Sequence, residues 1–95
     1  MKRFRIDPQA RADLDEIYEY VAKANRPAAR RLIERFQEAL RLLATQRMMG
    51  QSRPELATDL RSFTVGSYVI YFRPVKGGIQ VARVIHGARD IATEF

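Results

Sequence analysis

The side chains best suited to chemistry in this sequence are basic and lie in its last third. They are Arg61, Arg73, Arg83, His86 and Arg89. Arginine makes paired hydrogen bonds to phosphate and carboxylate groups, and imidazole is the side chain most often used to move protons. We therefore predict that these five residues contact the macromolecule on which the protein acts, and that a phosphate group is one ligand they could hold.

Cleavage of a phosphodiester bond would need more than these cations. The reaction requires a base, an acid and positive charge on the developing phosphorane. The segment 51–59 carries Arg53 but no lysine, and the last residue is Phe95, whose ring cannot transfer a proton. His86 is the only remaining candidate for the acid, so the sequence lacks the full set of groups that cleavage needs. It therefore predicts binding without a catalytic residue.

Each of these polar residues also has a structural interpretation. His86 follows an apolar strand and precedes Gly87, so it could cap the strand end by bonding to a backbone carbonyl. Asp90 could pair with Arg89, or bond to Arg83 or to a free backbone amide. If Arg61, Arg73 and Arg83 share the sheet face away from the helices, they form a basic patch, but the strand register that decides this cannot be read from the sequence.

Composition limits the remaining possibilities. The 95 residues suffice for one domain, predicted to span 1–95, and the net charge of +6 suits nucleic acid or an acidic protein as partner. There is no cysteine and only one histidine, so disulfides and thiolate or multi-histidine metal sites are excluded. We expect no metal and no cofactor. We also expect no membrane contact and a cytoplasmic location, because no apolar run reaches the length of a membrane span and no signal-peptide core precedes the domain.

Two amphipathic helices occupy the first half of the chain. After a short strand, Lys2–Ile6, the pair Asp7-Pro8 predicts the start of a helix that runs to about residue 24. Its apolar stripe includes Tyr18, whereas its acidic residues, Asp13 among them, are predicted to lie outside. Pro27 starts a second helix that ends near Gly50. The short connection predicts an antiparallel helical hairpin.

From Leu60 onward the spacing of the apolar residues changes: they recur at every second position and no longer at helical spacing. The sequence predicts strands over 60–65, 68–73 and 79–85, joined by turns at Gly66-Ser67 and Lys76-Gly77-Gly78, and a short helical turn within 87–95. The fold class is therefore α+β, with the order β-α-α-β-β-β and the helical hairpin packed on one face of an antiparallel sheet.

Several residues on these elements are candidates for contact with a protein partner. Tyr20 lies beside the apolar stripe of the first helix, and Tyr68 and Tyr71 fall on opposite faces of their strand, so that one is core and the other is free to bind. The outer face of the second helix carries a row of arginines that includes Arg31 and Arg35.

The local sequence resembles a known family over essentially the whole chain. The words that carry the resemblance are Ala12-Asp13-Leu14-Asp15-Glu16-Ile17-Tyr18-Glu19-Tyr20, Asn25 with Pro27-Ala28-Ala29, Gly50 with Arg53-Pro54-Glu55-Leu56, Leu60-Arg61, Tyr68-Val69-Ile70-Tyr71-Phe72-Arg73 and Val84-Ile85-His86-Gly87-Ala88-Arg89-Asp90-Ile91. In this order and spacing these segments resemble the ParE branch of the RelE/ParE toxin superfamily, and His-Gly-Ala-Arg-Asp is the most specific motif among them.

The resemblance implies a toxin of a two-gene toxin–antitoxin module. Such toxins act on DNA gyrase, trap its complex with cleaved DNA and block replication. A cognate acidic antitoxin wraps the toxin with an extended tail, so a toxin–antitoxin hetero-oligomer is expected, and the tail is expected to contact Tyr20, Arg31, Arg35, Tyr68 and Tyr71.

Two other functions are compatible with the same fold. Relatives in the RelE branch cut messenger RNA in the ribosome, and a toxin fold without toxic activity could serve only as a binding module. The lack of a lysine cluster and of a terminal tyrosine argues against the ribonuclease. The sequence does not exclude the binding module.

Overall fold

A computed structural model describes residues 3–95. Its elements are β1 (Arg3–Ile6), α1 (Pro8–Ala24), α2 (Arg26–Thr45), β2 (Gln51–Ser52), β3 (Arg61–Val65), β4 (Tyr68–Val75), β5 (Gly78–His86) and a 3₁₀ turn (Ile91–Thr93). The helices, the three long strands and the final turn match the predicted elements, and the α+β class is confirmed. Lys2, the first residue of the predicted N-terminal strand, lies outside the described residues.

One five-stranded sheet has the order β1-β5-β4-β3-β2. Strands β3, β4 and β5 form the predicted antiparallel meander, whereas β1 pairs with β5 in parallel. The sheet is therefore mixed and not wholly antiparallel. The additional strand β2 is only two residues long and pairs with β3, and a segment so short has no period by which the sequence could predict it.

The helical hairpin is set by the residues at its ends. Asp7 precedes Pro8 at the start of α1, but its side chain does not cap the helix; its Oδ1 accepts a 2.7 Å hydrogen bond from Nε2 of Gln80 on β5. Asn25 alone separates the two helices, and its Oδ1 accepts from the backbone N–H of Ala28 at 3.0 Å. This side chain satisfies an amide that would otherwise be free at the start of α2.

The second helix ends at Thr45, five residues earlier than predicted. Gly50 instead turns the chain into β2 with φ of +85°, and a Cβ at this position would lie 2.3 Å from the carbonyl oxygen of Ser62. Glycine is therefore needed here because of a positive φ and a close backbone approach, and not to end a helix.

Side chains alternate along the strands and build a hydrophobic cluster on each face of the sheet. Toward the helices, Ile70 and Phe72 pack with Phe36 and Leu40 of α2 in the main core. On the opposite face, hereafter the outer face, a smaller cluster contains Leu60, Tyr71, Ala82 and Ile85, and is covered by Leu56, Ala57 and Ile91. The loop before β3 and the C-terminal segment thus cover one part of the outer face.

Neither helix of the described chain is long and apolar enough to cross a membrane. Within residues 3–95, no three acidic or histidine side chains come together in a way that could hold a metal ion.

Candidate macromolecule-binding groove

A groove of about 550 Å³ lies between α1 and the ends of β4 and β5. Its lining residues are Asp13, Glu16, Ile17, Tyr20, Ser67, Tyr68, Val84, His86 and Arg89. We call it the α1 groove. It brings together two residues predicted to contact the target, His86 and Arg89, with two predicted to contact an antitoxin, Tyr20 and Tyr68.

Aromatic side chains form the floor and one wall of the α1 groove. Tyr68 and His86 are directly opposite each other on β4 and β5, and their rings meet edge to face with centroids 5.3 Å apart. The Tyr68 ring also meets Phe36 edge to face at 5.8 Å, which ties it to the main core. Tyr20 on α1 is 76% exposed. A rigid aromatic floor beside a freely accessible tyrosine is typical of protein-binding surfaces.

His86 is held at the strand end by its own backbone surroundings. Its Nδ1 accepts a 3.0 Å hydrogen bond from the N–H of Ala88, and its carbonyl oxygen accepts from the N–H of Arg89 at 3.0 Å. The ring therefore bonds to the backbone at the strand end, but it accepts from an amide N–H where the sequence interpretation had it bond to a carbonyl oxygen. Nδ1 is engaged in this hydrogen bond, and the His86 ring lines the groove.

Arg89 is half exposed and pairs with Glu94, with Nη2 and Oε2 3.0 Å apart. The alternative pairing of Arg89 with Asp90 is not formed. Asp90 accepts instead from the N–H of Ala92 at 3.1 Å and caps the 3₁₀ turn, which is the backbone-amide alternative that the sequence left open.

Arg83 occupies a different environment from the one predicted for a target-binding residue. Its Nε and Nη2 donate to the two carboxylate oxygens of Asp13 at 2.8 and 3.0 Å, and Nη2 lies 2.9 Å from Oε1 of Glu94. The hydrogen bonds that Arg83 donates to Asp13 raise the pKa of Arg83 above its usual value, against the opposing effect of burial. Only 13% of the side chain is exposed, so this guanidinium stabilises the fold and is not free for a target.

Asp13 also corrects the predicted acidic outer face of α1, because it is 5% exposed. Beyond the end of β1, the edge of β5 has no neighbouring strand, and Oδ2 of Asp13 accepts the N–H of Val84 there at 2.9 Å. A signal was present in the sequence: Asp13 lies three residues after buried Ala10 and four before buried Ile17, which is the spacing of one helix face. Conversely Tyr18, predicted to be core, is 40% exposed.

The hypothetical patch of Arg61, Arg73 and Arg83 does not form. Arg61 is directly opposite Phe72 on the helix-facing side, and its guanidinium donates to the carbonyl oxygens of Met48, Met49 and Gly50 at 2.6–3.2 Å. It thus holds the loop after α2. Arg73 is opposite Gln80 on the outer face. The strand register places odd-numbered residues of β3 toward the helices and odd-numbered residues of β4 on the outer face. The three arginines are therefore separated.

Tyr71 points to the outer face, opposite to Tyr68, as the alternation predicted. It is only 6% exposed and its ring meets Phe95 at 5.3 Å. The predicted antitoxin contact of Tyr71 therefore conflicts with its burial under the C-terminal segment. Burial raises the pKa of its phenol above 10.0, and the nearby charge of Arg53 opposes this shift.

The shift predicts an alkaline stability effect. A raised pKa in the folded state means that the neutral phenol stabilises the fold fully below pH 10, and that this contribution is lost as pH rises through the folded pKa. We expect Tyr71→Phe to retain more of its neutral-pH stability above pH 10 than the unsubstituted protein does, measured by urea unfolding at several pH values. An identical loss in both proteins would show that Tyr71 ionisation does not contribute.

Arg31 and Arg35 are exposed on α2, as predicted. The Nη1 atom of Arg35 lies 3.3 Å from the position that a Cβ on Gly66 would take. Gly66 belongs to the β3–β4 turn, which also supplies Ser67 to the α1 groove. Arg35 therefore extends the basic surface toward the groove, and Arg31 is one turn earlier on the helix.

The fold and groove together define a small, basic α+β domain with an aromatic groove beside α1. The family model for the ParE toxin of the type II toxin–antitoxin system parDE matches residues 4–91, and the chain therefore belongs to the ParE toxin family. It is similar to Toxin ParE1 of Caulobacter vibrioides, with 30% identity over 87 residues and 90% of each chain covered. It is also similar to a solved structure described as the chromosomal ParDE TA system from P. aeruginosa. That likeness has a TM-score of 0.73 and 26% identity, and covers 90% of this chain and 96% of the other.

Proposed function

We propose that this toxin inhibits DNA gyrase by stabilising its complex with cleaved DNA, and that a cognate antitoxin neutralises it by covering the α1 groove. The observation that carries the proposal is the meeting of Tyr20, Tyr68, His86 and Arg89 in one groove. If the gyrase-contacting and antitoxin-contacting side chains share a surface, then one partner excludes the other. Neutralisation then needs no conformational change in the toxin.

The chemistry of the α1 groove supports binding of a chain with alternating apolar and acidic residues. Tyr20, Tyr68 and Ile17 offer apolar surface and the half-exposed Arg89 offers positive charge, while Arg35 lies outside the groove, beside Gly66 of the β3–β4 turn. A disordered acidic tail that folds on binding covers a long surface of this kind. The net charge of +6 adds long-range attraction for an acidic partner.

Catalysis by the toxin itself is not part of the proposal. Stabilisation of a pentavalent phosphate requires cations aimed at one point, but Arg61 is bonded to backbone carbonyls and Arg83 to two carboxylates. In the α1 groove the guanidinium of Arg89 is paired with Glu94. The arginines nearest to His86 thus already have partners within the fold, which favours inhibition by contact over cleavage of RNA.

Expression of the toxin in a host that lacks the antitoxin tests the function. We expect growth arrest accompanied by double-strand DNA breaks and induction of the DNA-damage response, and rescue when the antitoxin is co-expressed. Arrest with intact DNA and cleaved messenger RNA would support the ribonuclease instead. No arrest, with the protein shown to be folded and abundant, would support a binding module without toxicity.

A further inference from the structure

A second basic surface lies on the outer face, at the opposite end of the sheet from the covering loop. Its members are Arg3 and Arg5 on β1, Arg73 on β4 and Lys76 in the β4–β5 turn. We call these four residues the outer-face patch. Arg5 and Arg73 are each directly opposite Gln80 of β5, one from either side, so the three side chains cross the sheet in one row.

The outer-face patch is accessible and has a defined shape. The hydrophobic cluster on this face is covered by Leu56, Ala57 and Ile91, and no residue of the Gln80 row belongs to it. Arg3 and Arg5 border an open depression of about 620 Å³ together with Val75 and Lys76. Gly78 lies between Arg3 and Val75 in the next row. A Cβ at Gly78 would clash with the backbone of Arg3, so glycine allows β1 and β5 to approach closely here.

The charge of the outer-face patch is nearly uncompensated. The ion pairs within residues 3–95 join Arg53 to Glu55, Arg83 to Asp13 and Glu94, and Arg89 to Glu94, and none includes a residue of the patch. The carboxylate that borders it, Asp7, accepts a hydrogen bond from Gln80. Arg3, Arg5 and Lys76 are exposed and Arg73 is half-buried, and the carboxylate of Asp7 already has Gln80 as a partner.

We propose that the outer-face patch binds the phosphate backbone of duplex DNA. Adjacent strands are about 4.8 Å apart and residues two apart on a strand about 7 Å. Arg5 and Arg73, with one strand between them, therefore have Cα atoms about 10 Å apart, and Arg3 lies about 7 Å from Arg5. These spacings match the scale of the grooves of B-form DNA, about 6 and 12 Å wide, so the long side chains reach phosphates on both strands.

Two other partners fit the outer-face patch less well. Single-stranded nucleic acid is bound by aromatic side chains on which bases stack, and the patch contains none. An acidic peptide that folds on binding needs apolar surface to bury as well as charge. Tyr18 and Tyr20 lie on α1, on the other side of the sheet, and Phe95 on the outer face packs on Tyr71 and is not a member of the patch. Phosphate contacts require only cations and carry no sequence information, which is what this surface offers.

The DNA contact is separate from the α1 groove and does not depend on gyrase. It would let the toxin hold DNA and a protein target on different faces. If the toxin does not act on gyrase, the purified toxin should still bind DNA. If it does not bind DNA, the α1 groove alone would account for growth arrest and its rescue by an antitoxin.

Binding of the purified toxin to a fluorescent duplex of about 20 base pairs and arbitrary sequence tests the proposal, by anisotropy between about 50 and 200 mM salt. We expect a dissociation constant in the micromolar range at low salt and a slope of log affinity against log salt of about −3 to −4. The double variant Arg5→Glu, Arg73→Glu should weaken binding at least tenfold and make the slope shallower by about 2.

The matched control is Arg30→Glu, Arg41→Glu, which changes net charge equally at two exposed positions of α2. It should weaken duplex binding no more than about threefold. Thermal melting confirms folding of each variant, and Arg5→Gln, Arg73→Gln replaces the glutamate pair if that pair fails to fold. Equal weakening by patch and control variants, tighter binding of a single strand than of the duplex, or a patch variant that binds duplex normally but loses an acidic antitoxin would each overturn the proposal.

Discussion

Replacement of Asp13 by alanine is expected to lower the free energy of unfolding by about 3 kcal/mol. The carboxylate is almost fully buried, accepts hydrogen bonds from Nε and Nη2 of Arg83 and also satisfies the N–H of Val84 at the free edge of β5. Its removal leaves a guanidinium that is only 13% exposed with Glu94 as its remaining partner, and a backbone amide with none. Removing one partner of a buried ion pair destabilises a protein more than the intact pair stabilises it, because the other charge is left buried without compensation.

Urea unfolding of Asp13→Ala, Arg83→Ala and the double variant measures this effect as a double-mutant cycle. We expect the double variant to be less destabilised than the sum of the two single variants, by about 1–3 kcal/mol. Asp15→Ala is the matched control, because it removes the same side chain from an exposed position of α1, and should stay within about 0.5 kcal/mol. If Asp13→Ala costs no more than Asp15→Ala, the buried pair does not hold α1 to the sheet.

The double variant Tyr20→Ala, Arg89→Ala is expected to weaken antitoxin binding by about 100-fold or more and to abolish growth arrest, because exposed tyrosine and arginine are the side chains that most often dominate interfaces. Folding should persist. Tyr20 is 76% exposed, and loss of Arg89 leaves Glu94 paired with Arg83. Calorimetric titration with the antitoxin, thermal melting and a growth assay give the three readouts.

A control with the same residue types is available on the other side of α1. Arg11 and Tyr18 line a separate cleft between β1 and the two helices, so Arg11→Ala, Tyr18→Ala removes one arginine and one tyrosine away from the α1 groove. We expect at most a few-fold loss of antitoxin affinity. Equal losses in the two double variants would mean that the antitoxin is not centred on the groove, and arrest that persists in Tyr20→Ala, Arg89→Ala would remove these residues from the toxic surface.

Local patterns were sufficient to predict the elements. Asp7-Pro8 and Asn25-Arg26-Pro27 determine where the helices begin, and the change of hydrophobic period at Leu60 locates the meander. Such signals depend on neighbours within a few residues along the chain. The parallel pairing of β1 with β5 is different, because Arg3 meets Gly78 across most of the chain length and nothing near either residue indicates it.

The candidate site was predicted only in part for the same reason. The sequence correctly places His86 and Arg89 near the end of the last strand. Whether the Arg83 guanidinium is free or paired, however, depends on Asp13, which is seventy residues away. Tyr71 was known to face away from Tyr68, but its burial depends on Phe95 folding back over the sheet. Register and the path of the C-terminal segment decide which polar residues remain free, and both are set by tertiary packing.

We infer that the toxin acts on gyrase through a surface that the antitoxin covers. The most direct test adds the purified toxin to gyrase and supercoiled plasmid and measures linear DNA with covalently attached protein. We predict that the toxin increases this product, that prior mixing with the antitoxin prevents the increase, and that Tyr20→Ala, Arg89→Ala produces little of it. No increase with the folded toxin, together with a cut in ribosome-bound messenger RNA that disappears in His86→Ala, would contradict the account and assign the protein to the ribonuclease branch.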